Sequence, residues 1–112
     1  MEHYEVRMTP FAEKAAREIG QYIAGTLQSP QAAARTLAAI RREIRTPDIM
    51  PFRFPLVSEE PWHSEGVHKM PVRNFLVYYW VNEDKKTVSI THIIYAGRDQ
   101  KNQLSKVPTD EV

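Results

Sequence analysis

The sequence contains no cysteine, which excludes disulfides, a thiolate nucleophile and any metal site built on cysteine ligands. It has no apolar run approaching the roughly 20 residues that a membrane span needs. The first residues show neither the basic nor the apolar segment of a signal peptide. The net charge is only +1, so any basic site must be local and not a broad nucleic-acid-binding patch. These absences favour a bacterial-type cytosolic protein with no membrane partner.

Motifs for several common chemistries are missing as well. The four histidines have no metal-ligand spacing such as HExxH, the four scattered glycines form no phosphate-binding loop, and G-x-S-x-G does not occur. Catalysis, if there is any, is left to general acid–base and electrostatic chemistry by histidine, lysine, arginine and tyrosine. The sequence therefore predicts no metal and no cofactor.

The N-terminal half predicts a short strand and two helices. Polarity alternates from Tyr4 to Met8, as in a strand. Thr9-Pro10 is a helix start, because a threonine caps free N–H groups and proline suits the first helical position. Apolar residues then follow at helical spacing from Phe11 to Leu27. Ser29-Pro30 repeats the start signal for a second helix that ends before Pro47, so an antiparallel helical hairpin is expected.

The middle of the chain begins with a proline-rich stretch and continues with residues that alternate as in strands. Residues 47–66 are punctuated by four prolines and predict an extended loop. Val67–Arg73 predicts a strand, in which Pro71 indicates an edge position or a bulge because proline lacks an N–H. Phe75–Val81 is apolar at every position, which predicts that both faces of this strand are covered.

The last strand and the tail complete the predicted domain of 112 residues. Thr87–Tyr95 returns from a charged hairpin turn and is expected to place Val88, Ile90 and Ile94 on one face. Residues 101–112 are polar and predict a tail with a short helix or no fixed structure. The expected class is α+β, with an N-terminal strand, a helical hairpin and an antiparallel sheet.

One stretch of the sequence resembles a known protein family. The segment HKMPVRNFLVYYWVNEDKKTVSITHIIYAGRDQ, His68 to Gln100, contains a strand ending in Val-Arg-Asn, an aromatic strand, a charged hairpin and a strand ending in Gly-Arg-Asp. This pattern resembles the RelE/ParE superfamily, the toxins of type II toxin–antitoxin pairs. The resemblance implies one toxin domain over residues 1–112, with a curved, mainly antiparallel sheet, the helical hairpin on one face and a concave working face opposite.

The resemblance favours a RelE-like mRNA endonuclease that inhibits translation and leaves two alternatives open. A RelE-like toxin cleaves mRNA in the ribosome without a metal, using a base, cations that stabilise the phosphate and an acid for the leaving oxygen. A ParE-like toxin poisons DNA gyrase and cleaves nothing. A decayed member would only bind its cognate antitoxin. The implied partners are the antitoxin and either the ribosome with mRNA or gyrase, and the sequence does not set the oligomeric state.

The same resemblance assigns candidate site residues. Arg98, at the end of the last strand, is the expected phosphate-binding and transition-state-stabilising cation, unless it is a surface arginine paired with Asp99. His68 and Lys69 are candidates for base or phosphate contact, unless they belong to a solvated edge strand. Arg73 could face the same groove.

Two departures from the RelE-like pattern argue against nuclease activity. Leu76 stands where these enzymes usually carry an arginine. The tail lacks the aromatic or histidine acid, so Tyr95 or His92 would have to substitute. His92 could equally be a core histidine.

The predicted strand that is apolar on both faces also suggests a protein partner. Judged by this strand, Phe75–Val81, the sheet and the helical groove are expected to expose more apolar and aromatic surface than a monomer carries comfortably. A disordered antitoxin segment that folds on contact would cover it.

Overall fold

The computed structural model of the protein describes residues 3–26, 28–48, 50–96 and 104–107. The helices and strands follow in the order β1 (Glu5–Met8), α1 (Pro10–Gln21), α2 (Pro30–Glu43), α3 (Trp62–Glu65), β2 (Val67–Val72), β3 (Phe75–Asn82) and β4 (Thr87–Tyr95). None of the helices in this part of the chain is long and apolar enough to span a membrane.

The four strands form one open sheet in the order β1-β4-β3-β2. β2 and β3, and β3 and β4, pair antiparallel, whereas β1 pairs parallel with β4. The predicted α+β class, with an N-terminal strand, a helical hairpin and a mainly antiparallel sheet, is confirmed. Of the two alternatives for Pro71, the edge position is found: β2 lies at an edge of the sheet, where a residue without an N–H fits because no further strand must be bonded.

Both helices begin where the sequence predicted. The Thr9 Oγ accepts a hydrogen bond from the Ala12 N–H at 3.2 Å, and the Ser29 Oγ accepts one from the Ala32 N–H at 3.4 Å. α1 continues into a π-helical turn, Tyr22–Thr26, before the chain reverses into α2. These caps satisfy N–H groups that have no partner inside a helix.

The two helices pack closely at one glycine. A Cβ added to Gly20 would lie 2.7 Å from the Leu37 Cδ1 of α2. The missing side chain therefore lets α1 and α2 approach each other where Leu37 covers the hairpin.

One face of the sheet carries the larger core, which we call the helix-side core. α1 and α2 pack on this face of β3 and β4. Its fully buried side chains include Ile40 of α2, Val77 and Tyr79 of β3 and Ile90 of β4. Burying an aliphatic or aromatic side chain of this size contributes about 1.5–3 kcal/mol. The hairpin and the sheet therefore stabilise each other through this face.

The opposite face carries a smaller core, which we call the loop-side core. Val57 of the loop before β2 and Leu104 pack there against Val67, Tyr78 and Ile94. Leu104 falls in the stretch predicted as a polar tail, yet it is only 5% exposed. Part of the region after β4 thus belongs to the folded domain.

A β-bulge overturns the predicted face of Ile94. Tyr79 pairs with Ile90, but its neighbour Tyr78 pairs with His92, so β4 carries one extra residue at this point. An extra residue reverses the alternation of all that follow. The prediction that Ile94 shares a face with Val88 and Ile90 was therefore wrong, because Ile94 packs in the loop-side core.

The central strand is covered on both faces, as predicted, but by the chain itself. Val77, Tyr78 and Tyr79 are each 0% exposed. At these three positions the helices cover one face and the loop before β2, together with Leu104, covers the other. The other four apolar residues of the predicted strand stay partly exposed, namely Phe75, Leu76, Trp80 and Val81.

Candidate functional site

His68 of β2 is buried on the helix side of the sheet. Its Nδ1 lies 2.8 Å from the Phe54 carbonyl oxygen, and because a carbonyl only accepts, Nδ1 carries the proton. The ring stacks on Tyr79 with centroids 5.0 Å apart, and Phe52 contacts it edge-on at 5.7 Å. His68 therefore fastens the Pro51–Phe54 stretch to β2.

Tyr79 fastens the same stretch from β3. Its hydroxyl donates a hydrogen bond to the Pro51 carbonyl oxygen at 2.7 Å. Burial raises the pKa of Tyr79 to about 12, although the Phe54 backbone and Arg53 act in the opposite direction. The hydroxyl therefore stays protonated at neutral pH and serves as a structural donor.

Lys69 lies on the other face from His68, because consecutive residues of a strand alternate. Its backbone N–H donates to the Pro55 carbonyl oxygen at 2.9 Å, and it pairs with Tyr78 across the ladder. The two residues that the sequence suggested as a joint basic site thus do not converge.

Arg73 and Tyr95 lie at one end of the sheet. Arg73 is exposed in the turn between β2 and β3 and has a φ of 53°, which is uncommon for a residue other than glycine. The Tyr95 ring contacts Phe75 edge-on at 5.9 Å. The Ala96 N–H donates to the Asn74 carbonyl oxygen at 3.0 Å, which holds the turn beside the end of β4. Arg98, the main predicted cation, lies outside the described residues.

His92 is buried at the bulge of β4. Its ring packs edge-on against Phe11 of α1 with centroids 4.9 Å apart, and its Nδ1 accepts from the Ile93 N–H at 2.9 Å. Because of the bulge, His92 pairs with Tyr78 and does not follow the alternation of Val88 and Ile90 that the sequence suggested, but it is only 5% exposed, as a core histidine would be.

A groove of about 530 Å³ lies between α1 and the end of β3 and β4, and we call it the helix–sheet groove. Two exposed tyrosines line it, Tyr22 at 55% and Tyr95 at 52%. Its other lining residues are Ala15, Glu18, Ile19, Ile23, Thr36, Asn74, Phe75, His92, Ile93 and Ile94. This lining is mostly apolar and contains one carboxylate, that of Glu18. Such a groove is better suited to binding a peptide than to binding a phosphate.

The helix–sheet groove brings together two of the predicted residues, His92 and Tyr95, and misses the others that the structure describes. Tyr22, which lines the same groove from the π-helical turn after α1, was not predicted as a site residue. Its helical spacing placed it in the apolar stripe of the first helix, and no signal in the sequence marked it.

Within residues 3–26, 28–48, 50–96 and 104–107, no group of three or more histidine, aspartate or glutamate side chains is placed to hold a metal ion.

Comparisons with known proteins identify a family and a fold. Residues 6–100 match the family model described as the ParE toxin of the type II toxin–antitoxin system parDE. A chain of a chromosomal ParDE system from P. aeruginosa superposes with a TM-score of 0.69 at 18% identity, covering 83% of this chain and 96% of that one. A chain of the RelBE2 toxin–antitoxin complex from Mycobacterium tuberculosis gives 0.63 at 18% identity, with 83% and 98% covered.

A third structure extends the likeness to archaea. A chain of the RelE–RelB complex from Pyrococcus horikoshii superposes with a TM-score of 0.51 at 17% identity, covering 87% of this chain and 99% of that one. Curated protein sequences give no significant match.

Proposed function

The chain belongs to the ParE toxin family and is the toxin of a type II toxin–antitoxin pair, and we propose that it acts by binding DNA gyrase, without cutting RNA, and is neutralised by an antitoxin in the helix–sheet groove. The observation that carries the gyrase assignment is the placement of His68. This candidate base is buried and bonded to the Phe54 carbonyl oxygen, while Lys69 faces the other side. A general base must reach the proton that it removes.

The character of the helix–sheet groove supports the antitoxin part of the proposal. Exposed Tyr22 and Tyr95 flank an apolar floor, and aromatic side chains that are half exposed are frequent anchors of protein interfaces. An amphipathic helix that lays its apolar face in such a groove uses this kind of lining. Two structural relatives were solved as toxin–antitoxin complexes, which fits a partner of this kind.

The antitoxin site is tested with groove variants. Tyr22→Ala and Tyr95→Ala should each weaken binding of the antitoxin encoded beside the toxin by roughly tenfold or more, because each removes a large anchor. Phe52→Ala is the matched control, since Phe52 is 50% exposed and does not line the groove. Binding is measured by calorimetry. Equal affinities for all three variants would place the antitoxin elsewhere.

The second candidate is the ribosome-dependent mRNA endonuclease. Arg73 and Tyr95 support it, because they lie at one end of the sheet, and Arg98 follows two residues after Ala96 in the sequence. In this mechanism Arg98 would stabilise the phosphate, with Lys69 as a further contact and His92 or Tyr95 as the acid.

The target is tested by expressing the toxin alone in a bacterial host. The gyrase proposal predicts growth arrest with DNA-damage signalling, intact mRNA and trapped gyrase–DNA complexes in a purified assay. Cleaved mRNA on translating ribosomes, lost in Arg98→Ala by roughly a hundredfold, would overturn it in favour of the nuclease. Normal growth with abundant folded protein would indicate a member that only binds its antitoxin.

A further inference from the structure

The outer side of α2 carries positive charge without any acidic residue. Arg45, also exposed, follows one residue after the C-cap Ile44. We call Arg35, Arg41, Arg42 and Arg45 the arginine face. The carboxylate of the helix, Glu43, is half-buried and does not belong to the exposed side. The exposed residues of α2 itself are Pro30, Gln31, Ala34, Arg35, Ala38, Arg41 and Arg42.

This composition differs from that of an ordinary solvated helix. Such a helix usually carries both signs of charge on its exposed side, spaced so that opposite charges meet. The helix dipole favours arginines near the C-terminal end, which would explain Arg41, Arg42 and Arg45. It does not explain Arg35, and it would favour acidic residues in the first turn, where α2 has none. The dipole alone therefore does not account for the arginine face.

The carboxylates of the chain leave most of this charge unpaired. In the part of the chain that the structure describes, only Arg41 of the arginine face forms an ion pair, with 3.6 Å between its Nη2 and the Glu13 Oε2. Arg41 and Arg45, together with Arg7 of β1, line a groove of about 220 Å³, and Glu13 is the only carboxylate among its described lining residues. Since the whole chain has a net charge of only +1, the arginine face is a local excess of positive charge.

The residues between the arginines indicate which anionic partner fits. A protein interface has an apolar or aromatic core, and single-stranded nucleic acid stacks on aromatic rings. The exposed side of α2 offers neither, because Ala34 and Ala38 are its exposed apolar residues apart from Pro30. The phosphate backbone of a duplex requires only cations and a close approach. Small alanine side chains permit that approach, and guanidinium groups bind phosphate oxygens in pairs.

We propose that the arginine face binds the phosphate backbone of duplex DNA without reading its sequence. Arg35 and Arg42 are about two helical turns apart, so the face extends over roughly 10 Å or more. Duplex DNA carries one phosphate per strand for about every 3.4 Å of its axis, so several phosphates lie within this length. Arg35, Arg42 and Arg45 each contact a phosphate, and Arg41 keeps Glu13. The proposal does not rest on the gyrase assignment, since the contact needs only the toxin and DNA.

The salt dependence of DNA binding tests the proposal on the purified toxin, without antitoxin or gyrase. Fluorescence anisotropy of a labelled duplex DNA should give a slope of log affinity against log salt concentration of roughly −3, because three phosphates are neutralised. Arg35→Ala, Arg42→Ala and Arg45→Ala should each weaken binding and make the slope shallower by about 1. Lys106→Ala is the matched control. Lys106 is exposed and follows Leu104, which packs on the opposite face of the sheet, so the slope should not change.

Folding and the choice of partner are checked on the same variants. Alanine is a good helix former, so the circular dichroism spectra of Arg35→Ala and Arg42→Ala should match the wild type. The triple variant with Arg35→Glu, Arg42→Glu and Arg45→Glu should lose DNA binding and bind the antitoxin as the wild type does. Antitoxin affinity that is lost while DNA binding is kept would overturn the proposal and assign the face to an acidic antitoxin segment.

Three further outcomes would contradict DNA as the partner. The first is a wild-type toxin that does not bind duplex DNA even at low salt. The second is a salt slope that stays the same in the three arginine variants, or that falls as much in Lys106→Ala. The third is tighter binding to single-stranded DNA or to duplex RNA than to duplex DNA. Equal affinities for duplexes of unrelated sequence would support a contact with the backbone alone.

Discussion

The two faces of β3 carry cores of different origin. On the helix side, eleven of the residues that the structure describes are buried in the core, mainly from regular elements, with α1 and α2 packed over β2, β3 and β4. On the loop side the described residues contribute five, and two of them, Val57 and Leu104, come from the segments before β2 and after β4. The first core therefore joins the helical hairpin to the sheet, whereas the second attaches the segments before β2 and after β4 to it.

The largest expected effect comes from the helix-side core. Ile40→Ala should lower the free energy of unfolding by about 3–4 kcal/mol, because Ile40 is 1% exposed between α2 and the sheet and its loss leaves a cavity. Urea denaturation measures the change. Arg42→Ala, two residues later on the exposed side, should stay within about 0.5 kcal/mol. A loss below about 1 kcal/mol for Ile40→Ala would remove the distinction between the two cores.

The loop-side core should give a smaller and more local effect. Leu104→Ala should lower the free energy of unfolding by about 2 kcal/mol. This value is at the lower end for a buried leucine, because a segment near the chain end can relax into the cavity. Cleavage by a protease near residue 104 should become faster before the sheet unfolds. Lys106→Ala, which is exposed, serves as the control. Global unfolding without earlier cleavage would mean that both cores form one cooperative unit.

The sequence predicted what depends on local chemistry. The caps at Thr9 and Ser29 and the edge position of Pro71 follow from rules that act within a few residues, and all three were confirmed. The bulge was missed, because an extra residue such as Thr91 in an apolar strand has no compositional signature. As a result, the sequence assigned Ile94 to the wrong face of the sheet.

The candidate site was less predictable for a related reason. His68 and Lys69 are neighbours in sequence, but which of them faces the helices depends on the register of β2 against β3. The bond that occupies His68 comes from Phe54, fourteen residues earlier, in a loop without periodicity. Contacts of this kind depend on tertiary packing and not on spacing.

The smallest expected effect comes from removing the hydroxyl group of the buried Tyr79. Tyr79→Phe should lower the free energy of unfolding by about 1–2 kcal/mol, because it leaves the Pro51 carbonyl oxygen without its hydrogen-bond donor. Urea denaturation at neutral pH measures it. Free energies of unfolding that agree within error for Tyr79→Phe and the wild type would indicate that water replaces the hydroxyl.

The two buried tyrosines, Tyr78 and Tyr79, also make stability depend on pH above about pH 10. Burial raises the pKa of Tyr78 and of Tyr79 to about 12 from the ordinary value near 10, with Glu59 adding to the effect at Tyr78. Their contribution to stability is therefore complete below pH 10 and is lost as the pH rises from 10 to 12, because the unfolded chain loses its protons first. Tyr78→Phe and Tyr79→Phe should each flatten this decline, by similar amounts on the two faces. A decline unchanged in both variants would assign it to other groups.

The parallel pairing of β1 with β4 sets the order in which a newly made chain can acquire its final form. The bond between Arg7 and Ser89 spans 82 positions. During synthesis β1 leaves the ribosome first and waits, without a partner strand in the sheet, until β4 has been translated. A nascent chain therefore lacks both the finished sheet and the helix–sheet groove, which β4 helps to line, until nearly all of it has been made. An antitoxin already present in the cell can meet each new molecule at the moment when it first becomes a toxin.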